Sequence, residues 1–166
     1  NELLEYCKYS ANPVGRFFID IYYTDNKKKD LRNVYDASDN LCSALQILNH
    51  LQDCKEDFLR LNRVYIPLSF FKTFSLSPSS LKLPESDRDF WDMKNSLVFK
   101  VEEMLKGAKK KLKLIEFWRL RKETLIIFHI AQKLCYLLKI KDPLKKKVKL
   151  SRIDLIFCFL KGIIEV

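Results

Sequence analysis

From Tyr35 to Leu61 the chain runs for 27 residues without a glycine or a proline. Leu41, Ala44, Leu45, Leu48, Leu51 and Phe58 recur along it near helical spacing. An α-helix advances 100° per residue, so residues three and four apart share a face. The stretch predicts one long helix, beginning near Tyr35 and ending near Leu61. Its other side carries a narrow polar column. Gln46, Asn49, Asp53 and Asp57 are spaced by three, four and four, which stacks them one above another. Asp53 and Asp57 stand one turn apart, roughly 6 Å along the axis.

A polar stripe on an amphipathic helix is ordinarily its solvated face. Such faces carry Lys/Glu pairs at i,i+4. This column carries amides and two like charges, which repel unless a cation lies between them. Two carboxylates and an amide oxygen suit a hard divalent ion. Mg²⁺ takes oxygen ligands, keeps several waters and is commonly completed by substrate phosphates.

Asn49-x-x-x-Asp53-x-x-x-Asp57, followed by Asn62-Arg63-Val64-Tyr65-Ile66-Pro67, resembles the second aspartate-rich motif of the squalene/phytoene synthase family. Upstream, Tyr6-Cys7-Lys8-Tyr9-Ser10-Ala11-Asn12-Pro13-Val14-Gly15-Arg16 resembles that family's Tyr-Cys motif. The Ser-Ala-Asn-Pro-Val-Gly-Arg form, with Gln52 before Asp53, is most similar to the bacterial hydroxysqualene synthase branch. Squalene and phytoene synthases more often show Val-Ala-Gly at the first place, and relatives usually show Arg at the second. Asp142-Pro143-Leu144, then Val148-Lys149-Leu150-Ser151, resembles the family's C-terminal ending. The motifs stand in the family's order and cover nearly the whole chain.

The resemblance implies an all-α fold, a helical bundle forming part of the isoprenoid-synthase (trans-prenyltransferase) fold. Residues 1–166 would be a single domain, the C-terminal half to two-thirds of such an enzyme. The family's first aspartate-rich motif lies on a helix well before the Tyr-Cys motif, and this chain has no counterpart of it. Carried over residue by residue, Asn49, Asp53 and Asp57 would hold Mg²⁺. Gln46 would line the cavity one turn earlier, and Arg63 would contact a prenyl diphosphate. Tyr65 would sit beside it as a hydroxyl donor. Tyr6 would stand near the carbocation, stabilising it or relaying a proton.

The implied reaction is Mg-assisted loss of diphosphate. In the resembling branch, presqualene diphosphate ionises and water captures the rearranged cation as hydroxysqualene. The alternative within the family is head-to-head coupling of two farnesyl diphosphates. With half the metal site absent, the chain alone is expected to bind Mg²⁺–diphosphate weakly and to show little or no turnover. It would be one piece of a split gene that reassembles with an N-terminal partner chain bearing the first motif, or a decayed remnant. A different-class reading is a non-catalytic relative serving as an assembly or interaction protein. That reading predicts an eroded metal column, and here the column is intact. A basic surface-binding module is a third reading.

Composition agrees with a helical fold. Only three Gly and five Pro occur, and 48% of residues are hydrophobic, which argues against disorder. The formal net charge is +10. The excess sits in Lys27–Lys29, Lys109–Lys111 and Lys145–Lys147, expected to be solvated surface, with anionic lipid as the alternative. No nucleic-acid-binding motif is present. Cys7, Cys42, Cys54, Cys135 and Cys158 follow no zinc or redox spacing, so they read as packing residues in a reducing cytoplasm. His50 and His129 have no Cys or His partner at ligand spacing, and each reads as structural or surface. No signal peptide is visible.

The remaining elements follow from local signals. Glu2 to Tyr23 reads as a helix kinked at Asn12-Pro13. Ala11 and Gly15 would let another group approach the backbone there. The resemblance makes that group the prenyl chain. Residues 24–33 read as a polar connection, Pro67 as the start of a short turn through Phe71, and Ser75 to Pro84 as a loop. Ser86 is expected to cap the next helix. Trp91, Leu97, Val101, Met104, Leu105 and Ala108 are its expected core face. Leu120 to Leu138 is apolar around much of its circumference and should be central. A last helix from Ser151 or Arg152 to Ile164 carries the run Leu155 to Leu160, far short of the ~20 residues that span a bilayer. Ordinary burial of that run is the expectation, with peripheral membrane contact as the alternative.

Overall fold

The computed structural model describes residues 2–24 and 30–165. Among them there are helices and turns but no strand. The Lys27–Lys29 cluster lies outside the described residues. Seven α-helices follow one another: α1 Glu2–Ser10, α2 Asn12–Tyr23, α3 Arg32–Leu61, α4 Leu68–Thr73, α5 Arg88–Leu112, α6 Trp118–Ile140 and α7 Arg152–Ile164. A 3-10 turn, Pro78–Lys82, interrupts the predicted 75–84 loop and seats Leu81 in the core.

The hub is α3, which packs against α1, α2, α5 and α6. Val34, Ala37, Leu41, Ala44, Ile47, Leu48, Leu51 and Cys54 form its buried stripe. Burying one such leucine is worth about 2–3 kcal/mol. The helix expected to be central, α6, sits between α5 and α7 and also touches α3.

The kink predicted at Asn12-Pro13 is a full break between α1 and α2 at Ala11. Pro13 falls in the first turn of α2, where a missing N–H costs nothing. Asn12 is buried and accepts a hydrogen bond from Ser43 Oγ at 2.8 Å, tying the break to α3. The close approach at Gly15 is made by α3 itself. A Cβ there would come within 2.3 Å of Ser38 Oγ and 2.6 Å of Cys42 Sγ.

Two local expectations are corrected. Asp87, not Ser86, caps α5, its carboxylate accepting from Phe90 N. Ser86 is drawn off by Asp142, to which its backbone N–H donates at 2.7 Å and its hydroxyl also donates. The buried face of α5 is wider than the predicted one. It includes Phe90, Met93 and Val98 with Leu97, Val101, Leu105 and Ala108, while Trp91 and Met104 are half-buried. Lys94 is fully buried on this face. It donates to the Lys141 carbonyl at 3.2 Å with its ammonium against the Trp91 ring.

Residues 141–150 form a strap across the end of the bundle. Asp142 accepts from Leu144 N at 2.8 Å, a local carboxylate turn. Lys55 Nζ donates to the carbonyls of Leu83 and Leu144, both at 2.7 Å. Gln52 donates to the Val148 carbonyl. Leu144 and Val148 are each 1% exposed, so the strap is pinned by both burial and hydrogen bonds.

Helix α7 starts in a full capping box between Ser151 and Asp154. Its apolar run is not buried as expected. Leu155, Ile156, Phe157, Phe159 and Leu160 are exposed, and the buried residues of the helix are Cys158 and Gly162. The reason is a one-neighbour position: α7 packs chiefly on α6. Close packing there needs Gly162, since a Cβ would lie 2.6 Å from the Ile126 backbone nitrogen.

Two glycines give opposite expectations. Gly107→Ala, where nothing lies within 4 Å of the added Cβ, should stabilise by about 0.5–1 kcal/mol. Gly162→Ala should destabilise by about 1–3 kcal/mol, because backbone must shift. Thermal unfolding of both variants checks the contrast. Lys94 supplies a pH test. Burial pushes its ammonium down to about 8 from the usual 10.5. The folded state therefore gives up the proton first as pH rises. Stability relative to Lys94→Met should climb between about pH 8 and 10.5 and be flat below.

Candidate functional site

The polar column of α3 meets three other pieces of chain: α1, the turn after α3, and the strap. Their placement follows from local chemistry. Helix α3 ends at Asn62, which adopts a left-handed conformation, φ 51° and ψ 41°. Asparagine accepts that region more readily than most residues. The Asn62 and Arg63 backbone N–H groups both turn back to the Asp57 carbonyl. The following residues are thereby folded against the helix they have just left, and Ile66 is buried.

Tyr65 then stacks on His50, with ring centroids 4.0 Å apart and planes 13° from parallel. Tyr6, from α1, completes the cluster at 5.8 Å from His50 and 5.9 Å from Tyr65. Arg63 Nη1 donates to the Tyr65 hydroxyl at 3.4 Å. Gln46 lies 3.2 Å from His50 Nε2. The structure thus brings Tyr6, Tyr65, Arg63 and Gln46 around one centre. That centre is His50, which sequence reasoning read only as structural or surface. The signal was present: Gln46 and His50 are at i,i+4. Burial lowers the His50 imidazole to about 4 despite the nearby Asp53 charge, so it is neutral near pH 7.

Lower on the column, Asn49 is exposed, while Asp53 and Asp57 are half-buried. The Asp57 carboxyl is raised by burial first and by the Asp53 charge second, while Lys147 and Arg63 act in the opposite direction. Lys147, from the strap, ion-pairs with Asp53 and reaches Glu56 at 3.7 Å. Sequence reasoning placed Lys147 on solvated surface. It lies instead on the column, because the strap's hydrogen bonds to α3 carry it there. A half-exposed Lys–carboxylate pair is worth about 1 kcal/mol or less.

The donor set fits a hard divalent ion in part. Two carboxylates sit close enough for one to raise the other, and an amide stands a turn away. Among the described residues no group of three or more His, Cys, Asp and Glu side chains is placed to hold a metal. Mg²⁺ with few protein ligands is ordinarily completed by waters and phosphates. A largely apolar pocket of about 290 Å³, with Glu2, Lys100 and Glu103 also on its walls, lies among α1, α3, α4 and α5 and so shares α1 and α3 with the aromatic cluster. Leu3, Leu4, Ile47, Pro67, Phe70 and Leu97 are among its walls.

The sequence pattern of the family described as squalene/phytoene synthase matches residues 1–154. The chain belongs to the squalene/phytoene synthase family. Three curated relatives are named hydroxysqualene synthase. The protein from Sinorhizobium fredii is 38% identical over 156 residues, covering 94% of this chain and 51% of its own length. That from Zymomonas mobilis is 34% identical, covering 88% and 47%. That from Rhodopseudomonas palustris is 33% identical, covering 94% and 51%. The fold matches the crystal structure of squalene synthase HpnC from Alicyclobacillus acidocaldarius, with a TM-score of 0.73 and 24% identity over 83% of this chain and 50% of that one. The chain spans about half the length of the relatives it matches. Their name agrees with the branch that Ser10 to Arg16 and Gln52 resemble.

The left-handed cap gives a test of how this synthase-family site is held. Asn62→Val should cost about 1–2 kcal/mol, the penalty of that conformation for a side chain with a branched β-carbon. Asn62→Gly should cost little. Denaturant unfolding of the two variants separates them.

Proposed function

We propose that this chain contributes the second metal-binding half of an isoprenoid synthase site, one that helps presqualene diphosphate lose its diphosphate on the way to hydroxysqualene. The observation that carries the reading is the convergence of Asp53, Asp57, Arg63, Tyr65 and Tyr6 around one column of α3. The runner-up within the family is coupling of two farnesyl diphosphates. Asn12 and Gln52, which suggest the branch, both have structural jobs here. The first holds Ser43 and the second holds the strap.

Asn49, Asp53 and Asp57 would hold Mg²⁺. A bound divalent ion supplies charge neutralisation for the departing diphosphate. Arg63 is exposed beside the Tyr65 hydroxyl and presents a guanidinium shaped for phosphate oxygens. Tyr65 orients Arg63 and offers its own hydroxyl. Tyr6, with the His50 and Tyr65 rings, gives π-surface suited to a carbocation. The neutral His50 adds no positive charge that would oppose it. Gln46 fixes His50 in place. The apolar cavity takes part of the prenyl chain and keeps water from the cation.

The chain acts as one domain in this reading, with a partner segment supplying the first aspartate-rich motif. Val14, Phe17, Phe18 and Ile21 on α2 are exposed, which favours such a partner. No described helix is long and apolar enough to cross a membrane, and the exposed face of α7 favours peripheral contact with one.

Isothermal titration of the chain with inorganic diphosphate and Mg²⁺ tests the reading. Binding should require both components. Asp57→Asn should weaken it by at least about tenfold, since losing even an outer-shell partner of a metal ligand costs about ten- to a hundredfold. Diphosphate binding that ignores Mg²⁺ would sink the proposal.

A further inference from the structure

Two lysines of one short run behave differently. Lys145 turns outward to Glu85 at 3.2 Å, whereas Lys147 turns inward to Asp53 and Glu56. The inward direction is built into the strap. Val148, its neighbour, is buried, and the Val148 carbonyl accepts from Gln52, the residue before Asp53. Leu144 is likewise buried and held by Lys55. Lys147 is therefore carried on backbone fastened to the same helix that bears the aspartates. Its side chain remains 39% exposed, so the ammonium can leave Asp53 without displacing the strap.

We propose that Lys147 is the resident counter-cation of Asp53, holding that carboxylate when no metal is bound and competing with a divalent ion for it. The inference rests on the column being a metal site, and it adds a regulation of that site. Asp53, Glu56 and Asp57 place three carboxylates on adjacent turns of one helix; Arg60 pairs with Glu56 at 2.8 Å, and the repulsion between Asp53 and Asp57 still needs a cation. A monovalent ammonium meets the need only in part. Among the described residues it pairs with Asp53 and Glu56 only. Asp53 and Asp57 would hold a divalent ion together, and Asp53 would have to part from Lys147 to do so. Metal entry is thus an exchange of cations on a preformed column, and the strap decides its cost.

The test measures Mn²⁺ alone, by electron paramagnetic resonance of the free ion, against the unaltered chain, Lys147→Gln and Lys147→Arg. Lys147→Gln should bind Mn²⁺ about fivefold tighter or more, since a unit charge at contact distance has been removed. Lys147→Arg keeps the charge and should stay within about twofold of the unaltered chain. Equal or weaker Mn²⁺ binding by Lys147→Gln, including no detectable binding by either protein, overturns the counter-cation role. The underlying metal reading fails in a separate way. If Lys147→Gln gains affinity but Asp53→Asn and Asp57→Asn in that background leave it unchanged, Mn²⁺ binds elsewhere.

Discussion

Helix α3 must serve two environments along one cylinder. Its stripe from Val34 to Cys54 is buried against four other helices. Its opposite side carries the carboxylates. A helix cannot rotate to suit one side without dragging the other, so the hydrophobic burial of Leu48 and Leu51 fixes the direction of Asp53 and Asp57. Each leucine contributes about 2–3 kcal/mol, far above the ~1 kcal/mol of a half-exposed ion pair. Packing therefore sets the column, and the polar groups accommodate to it.

Everything else at the site is attached to α3 by short, specific devices. Asn12 and Ser43 hold the α1–α2 break against it. The left-handed Asn62 returns Arg63 and Tyr65 to it. Lys55 and Gln52 fasten the strap to it. The membership of the squalene/phytoene synthase family fits this plan, because its motifs are the segments that touch α3. The tyrosine-cysteine motif supplies Tyr6 and the break, and the segment after the aspartates supplies Arg63 and Tyr65. The C-terminal motif supplies the strap.

Much of this was legible in sequence. The absence of Gly and Pro between Tyr35 and Leu61 marked α3, and the three-four-four spacing marked its column. Pro13 marked the break. What failed did so where partners outside the local window decide. Ser86 has the right chemistry for a cap, but Asp142, distant in sequence, binds it first. The face of α5 is wider than local spacing suggested, because Phe90 and Met93 are also buried on it while Trp91 lies half-buried beside Lys94. The apolar run of α7 reads as core by composition, yet α7 packs chiefly on α6 and leaves the run exposed.

The sequence by itself determined the helices, the column and the family, since these depend on periodicity and on motifs within a few turns of chain. Only the tertiary structure decided that His50 is the centre of the aromatic cluster and that Lys147 sits on Asp53. Both depend on contacts between segments far apart in the chain. Tyr6 meets His50 across 44 positions, and Lys147 meets Asp53 across 94. No local pattern encodes such meetings. They follow from how the strap and α1 are packed on α3, and that packing is a property of the whole core.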